Sequence, residues 1–201
     1  MSESRGKTVV VDWTSPEGPA VTHIRGTMIL SSLTTLRERG LFERYLKNLD
    51  PALHDAIVYD VSTSWRPIEH GVAHYAACDA LGLSDEELHD IGEAVSERVM
   101  GTFLGTLVRR SRDIGGTPWI VVRSYPTLWS RIWRGGSVRV IQEGPKDAIL
   151  MGYGCPCGRL RYFDTAYRGV VKGAIGLFAR TVYTRTLPRR GDELIVGVRW
   201  V

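Results

Sequence analysis

Two thiols separated by a single proline, Cys155 and Cys157, stand in the stretch GYGCPCGRL of this 201-residue chain. Thiols at that spacing suggest a metal claw or a redox couple. A structural zinc site collects four ligands, usually as paired C-x₂₋₄-C elements, and the only other cysteine is Cys78. A disulfide spanning one residue meets demanding bridge geometry. The expectation is free thiols at a partly exposed strand-to-helix turn, with Gly154, Pro156 and Gly158 supplying the turn chemistry; metal or redox chemistry is the alternative.

His70, His74 and Cys78 recur at i, i+4 and i+8, so a helix would project them from nearly one face. Two of them could share a metal. All three could not, because eight helical residues rise roughly 12 Å while ligand bonds reach only about 2.0 to 2.3 Å. A hydrogen-bonded histidine at a helix seam is the expected role, with haem ligation as the alternative.

Glycines inside helical segments carry a further signal. Each costs about 1 kcal/mol against alanine in a helix interior, yet Gly92, Gly101 and Gly105 fall in one helical pattern and Gly169, Gly173 and Gly176 in another. Ala166, Gly169, Gly173 and Gly176 form a stripe that would let a helix pack closely on a neighbour, and the helix near Gly169 and Gly173, or the neighbouring sheet edge, is also the expected homodimer interface. Large residues stand beside the first set. His74 and Tyr75, then Met100 and Phe103 next to Gly101 and Gly105, then Trp129 and Trp133, would alternate bulk and space, as the wall of a small apolar pocket does. These eight residues are the candidate ligand-binding site.

No G-x-x-x-x-G-K-[ST], G-x-G-x-x-G or G-x-S-x-G motif occurs, and the carboxylates cluster on one helical face, so no enzyme is expected. The net charge is +4. Its distribution, with seven acidic residues from Asp79 to Glu97 and seven arginines from Arg109 to Arg139, suits the two ends of a helix dipole better than a phosphate-binding surface. Nucleic acid is not an expected partner. No run reaches the ~18 to 20 apolar residues of a membrane span, and the N-terminus lacks a signal-peptide core. Three cysteines fit a reducing compartment, so the expected location is the cytoplasm.

The elements that must hold these residues follow from periodicity. Residues 1–23, with the β-prone TVVVDW and the turn-rich TSPEGPA, read as a peripheral arm, and 24–201 as one α+β domain. From 26 to about 134 the pattern is helical, giving five to six helices. One starts at SWRPIEH around Pro67. The longest opens with a capping box, Ser84 with Glu87, and carries Leu88, Ile91 and Val95 on one side. A tryptophan-rich segment breaks at Pro126. After Gly135, two hairpins flank a helix, giving a ββαββ antiparallel sheet with one packed helix.

The layout from IRGTMILSSLTTLRERG through STSWRPIEH, the acidic-headed helix, YPTLWSRIW, the hairpin, YRGVVKGAIGL and the terminal VRW resembles a family of proteins of about this length expanded in myxobacteria. That family in turn is similar to the vinyl-reductase-like sensor domains, the haem nitric-oxide-binding domains and the TRAPP vesicle-tethering subunits. The resemblance spans residues 24–201 and implies an α+β ligand-binding fold in which Trp65 and Pro67 begin a core helix. Two family patterns are missing. TRTLPRRGDELIVGVRW has no cysteines for a C-x-x-x-G-x-x-x-C zinc site, and SYPTLWSR has the residue types of the haem-propionate signature Y-x-S-x-R at the wrong spacing.

The combined expectation is a non-enzymatic cytosolic sensor or regulatory domain that binds a small apolar ligand, with no cofactor and no metal, acting through a homodimer or a protein partner. The alternative is a ligand-free protein–protein interaction module resembling the tethering subunits, with a haem gas sensor third.

Overall fold

The computed structural model describes residues 8–12, 19–59, 64–103 and 116–201, with the side chains of 8–12 and 99–103 outside that description. Helices and antiparallel sheets together make it α+β. In chain order the elements are β1 (Thr8–Asp12), β2 (His23–Arg25), α1 (Gly26–Glu38), α2 (Phe42–Asn48), β3 (Trp65–Pro67), α3 (Ile68–Asp79) and α4 (Asp85–Phe103). There follow α5 (Trp119–Arg123), α6 (Tyr125–Ile132), β4 (Trp133–Arg134), β5 (Ser137–Gly144), β6 (Asp147–Tyr153), α7 (Arg161–Gly176), β7 (Val182–Thr186) and β8 (Leu194–Trp200).

Local sequence signals place several of these boundaries. Glu87 accepts from the Ser84 backbone N–H at 2.8 Å, and Ser84 Oγ accepts from the Glu87 N–H at 3.2 Å, closing the capping box that starts α4. The Ser84 contacts hold the Glu87 carboxyl below its ordinary value. Pro126 sits in the first turn of α6, where its missing N–H costs nothing, so the helix break falls at Ser124 instead of at the proline itself.

The main sheet runs β1-β5-β6-β8-β7, every pair antiparallel. The β-prone run near the N-terminus is thus its outer strand, beside β5. A second sheet, β3-β2-β4, has strands of two or three residues. In it Trp65–Pro67 is extended and pairs with His23–Arg25. The helix expected to begin at Trp65 and Pro67 begins instead at Ile68, because those two residues serve the sheet, and Pro67 becomes the cap before α3. The Arg25 and Arg134 guanidinium groups lie 4.0 and 4.6 Å from the Trp65 ring and brace this corner.

The two faces of α7 decide the packing. Its small-residue stripe faces α4. A methyl group placed on Gly92 would overlap the carbonyl oxygen of Ala166, one on Gly169 would overlap that of His89, and one on Gly173 would lie 2.8 Å from Ser96 Oγ. Gly169 and Gly173, expected at an interface between protomers, lie at a close helix crossing within the chain. The other face of α7 packs toward the sheet and α6. Among the described residues no helix is long and apolar enough to cross a membrane.

Candidate functional site

Trp129 on α6 and Trp133 on β4 come together with their ring centroids 5.8 Å apart. Glycine makes room for the first. Its ring lies against Gly152, where a methyl group would come within 2.3 Å of it, and close to Gly136, and its indole N–H donates to the Gly135 carbonyl at 3.1 Å. Gly136, with φ +68°, turns the chain from β4 into β5 beneath that ring. Trp133 is 2% exposed and packs on Phe163 of α7, centroids 5.8 Å apart.

Between these tryptophans, α7 and the sheet lies an apolar cavity of about 50 Å³. Leu150 of β6 forms part of its wall, Tyr125, Leu128 and Ile132 belong to α6, and Tyr167, Val170, Val171, Ala174 and Ile175 to α7. The last five positions repeat at i, i+3, i+4, i+7 and i+8, the spacing of one helix face. The polar groups in the wall are few. Tyr125 and Tyr167 share a hydrogen bond between their hydroxyls at 3.1 Å, and burial raises the pKa of both phenols, keeping them neutral. Arg131 is the one charged residue in the wall and is solvent-exposed.

A second void of about 20 Å³ lies between α1, α3, α4 and α7 and shares Tyr167 and Val170 with the first. Tyr75 borders it together with Ser32, Tyr162 and Phe163. The site expected from sequence is thereby divided. Trp129 and Trp133 line the larger cavity, Tyr75 lines the smaller, and His74 lines neither. Met100, Gly101, Phe103 and Gly105 lie outside the residues whose surroundings are described. Tyr125, Leu150 and the α7 face were missed, although the i, i+3, i+4 stripe of α7 was readable as a buried face.

His74 is fully buried at the seam of α2 and α3. The Tyr45 hydroxyl lies 2.8 Å from its Nδ1, and Cys78 Sγ lies 3.8 Å from its Nε2. Burial lowers the imidazole pKa to about 3, so the ring is neutral. Cys155 and Cys157 are free, as is Cys78, but all three are buried, which corrects the partly exposed turn. The reason is the short turn Pro156–Arg159, which tucks Cys157 under α3 near Gly71. A hydrogen bond with Cys155, then burial, push the Cys157 thiol pKa well up. His89, Asp90 and Glu93 bring ligand-type atoms within 4.8 Å of one another on α4. Lys172 Nζ, however, is 2.7 Å from the Glu93 oxygen that His89 contacts, and His89 Nε2 is 3.3 Å from Thr184 Oγ1, so protein partners occupy that cluster.

No protein-family model matches the sequence, and no curated protein matches it. Solved structures do match its fold. An Fe(II) unliganded H-NOX protein from K. algicida aligns with TM-score 0.60 at 12% identity, over 89% of this chain and 97% of that one. A point mutant of the same protein aligns with TM-score 0.60 at 11% identity, over the same shares. A structure from work on haem distortion in the H-NOX family aligns with TM-score 0.54 at 10% identity, over 88% and 95%. The chain therefore has the fold of the H-NOX domains, one of the three groups the sequence resembles.

Haem does not fit the cavity described. None of the five histidines of this chain borders either void. The larger void is also well below the roughly 150 Å³ that accommodates even benzene.

Proposed function

We propose that this chain is a non-enzymatic, cytosolic sensor or regulatory domain whose ligand is a small, largely apolar molecule held between α6 and α7, and which acts through a homodimer or a protein partner. The observation that carries this reading is the apolar cavity of about 50 Å³ walled by Trp129, Trp133 and the inner face of α7. Close-packed interiors leave few voids larger than a water molecule, and an apolar one keeps water out while remaining favourable for an apolar guest. The fold shared with H-NOX domains supports the same class. The non-enzymatic reading is supported by two buried groups: the neutral His74 is bonded to Tyr45, and the three cysteine thiols are enclosed in the core.

Among the described residues no strand pairs with the outer edge of β7, where Tyr183 is 60% exposed, and this edge is the surface proposed for a partner. An uncovered edge strand is a template for pairing with another chain.

Xenon, an apolar sphere of suitable size, tests the ligand reading. Methyl resonances of Val171 and Ile175 are expected to shift saturably under xenon pressure, and an unchanged spectrum would refute it.

A further inference from the structure

The outer edge of β7 itself specifies what can cover it. Val201 N–H donates to the Thr181 carbonyl at 3.0 Å, and along an antiparallel strand the residues whose backbone groups face a given neighbour alternate. Thr181, Tyr183 and Arg185 therefore face β8, while Val182, Thr184 and Thr186 point their N–H and C=O groups off the edge. No strand pairs with them among the described residues. Edge strands are ordinarily guarded by a proline, a bulge or a charge. β7 has no such guard. Its register against β8 runs without a shift from Val182 to Thr186, and it contains no proline. Its single charge, Arg185, is turned back across the sheet over Gly197, to Asp147 at 2.9 Å and Glu143 at 2.6 Å.

Shape marks the same edge. Tyr183 stands 60% exposed on the sheet face opposite the buried Val182. Beside it lies an open hollow of about 430 Å³ bordered by Tyr183, Thr184, Arg185 and Arg199. A knob at Tyr183 and a hollow at Arg185, one residue either side of Thr184, complement each other under a two-fold rotation about Thr184. An antiparallel copy so placed brings its Tyr183 opposite Arg185, and the same contact recurs beyond the axis. The two form a non-hydrogen-bonded pair, the closer of the two antiparallel spacings, so the ring meets the aliphatic stem of an arginine whose guanidinium points away. On the other face, a cleft of about 620 Å³ between α4, α7 and Thr181–Tyr183 leaves room for the copy's Thr186, which falls opposite Val182.

The backbone selects this register over its neighbours. About Thr184, Val182 meets Thr186, Thr184 meets Thr184 and Thr186 meets Val182, hydrogen-bonded pairs that use the whole strand. An axis at Tyr183 would leave Thr186 opposite Arg180, beyond the end of the copy's strand. An axis at Arg185 would set Arg185 against Arg185 and Val182 against Pro188, which has no N–H to donate. Resting on the reading that the chain acts through a homodimer or a protein partner, we propose that its partner at this edge is a second copy of itself. The two β7 strands pair antiparallel about a two-fold axis at Thr184 and join both five-stranded sheets into one.

The test uses the full, unaltered chain from micromolar to millimolar concentration, with mass followed by sedimentation and amide exchange by NMR. A dimer is expected to form as concentration rises, and exchange of the Val182, Thr184 and Thr186 amides to slow at least tenfold in step with it. In a mixture of labelled and unlabelled protein, a cross-peak is expected between the α-protons of Tyr183 and Arg185, which stand about 7 Å apart along one strand and meet only across the seam. Tyr183→Ala, at an exposed position, is expected to weaken dimerisation at least tenfold. Unchanged dimerisation in that variant, or protected edge amides without the cross-peak, overturns the Thr184 register. A dimer whose three edge amides still exchange freely overturns the pairing and leaves the homodimer reading standing. A single-chain mass at every concentration overturns the pairing and removes the homodimer from the proposed function, while the ligand reading is judged separately by xenon.

Discussion

The hydroxyl of Tyr45 lies 2.8 Å from Nδ1 of His74, with both side chains closed off from solvent where α2 meets α3. Their rings also meet edge to face, centroids 5.2 Å apart. The pair joins two helices through a neutral imidazole.

Acid is expected to weaken the fold through this histidine. Its folded pKa is about 3, below the ordinary 6.5, so the unfolded chain binds the extra proton between those values. Stability is then complete above about pH 6.5 and is lost as pH falls toward 3, by up to about 1.4 kcal/mol per pH unit from this group. Urea unfolding of wild type and His74→Phe across pH 4 to 7 checks it, the difference between the two proteins carrying the slope. Tyr45→Phe leaves Nδ1 unpaired and is expected to cost about 1 to 3 kcal/mol.

The crossing of α4 and α7 predicts a sharp contrast among glycines. Gly92→Ala and Gly169→Ala would each drive a methyl group into backbone carbonyl oxygen. Both are expected to destabilise by about 1 to 3 kcal/mol or more. Gly176 has nothing within 4 Å of such a group, so Gly176→Ala is expected to be neutral or to stabilise by up to about 1 kcal/mol. Thermal unfolding of the three variants distinguishes a packing role from a conformational one.

Cys78, Cys155 and Cys157 are expected to resist a thiol reagent in the native protein and to react in denaturant. Burial raises the pKa of Cys78, and the hydrogen bond with Cys155 and burial raise that of Cys157, so little thiolate is present. Rapid labelling of any of them under native conditions would contradict this, as would stoichiometric zinc that disappears in Cys155→Ser.

Enlarging the cavity is expected to widen the range of molecules it takes. Leu150 is buried in the wall, and Leu150→Ala should cost about 2 to 5 kcal/mol. In return the variant is expected to bind benzene where the native protein does not, seen as a saturable rise in its thermal midpoint. No such rise would mean that the walls collapse into the space.

Much of the layout was present in the sequence because its signals are local. Ser84 and Glu87 meet three residues apart, Pro126 tolerates only a helix's first turn, and the glycine stripe of α7 states that something approaches closely. Each signal acts within one or two turns of chain. The second sheet escaped sequence reading for the opposite reason: β2 pairs with β3 and β4, far along the chain, through only two or three residues each, too few to show a period.

Tertiary structure alone decided where the cavity lies and what faces it. Trp129 and Trp133 were identifiable as large residues in a broken helical segment, but which indole N–H finds a carbonyl depends on the turn at Gly135. His74 and Tyr75 are adjacent in sequence, yet a helix turns successive side chains by about 100°, sending one to Tyr45 and the other to the smaller void. Residue type and spacing determined which side chains must be buried and which helix faces must approach closely. Only the packing of α7 between α4, α6 and the sheet determined which of those buried groups border empty space, because a void is a property of several surfaces that fail to meet and is written in no single segment.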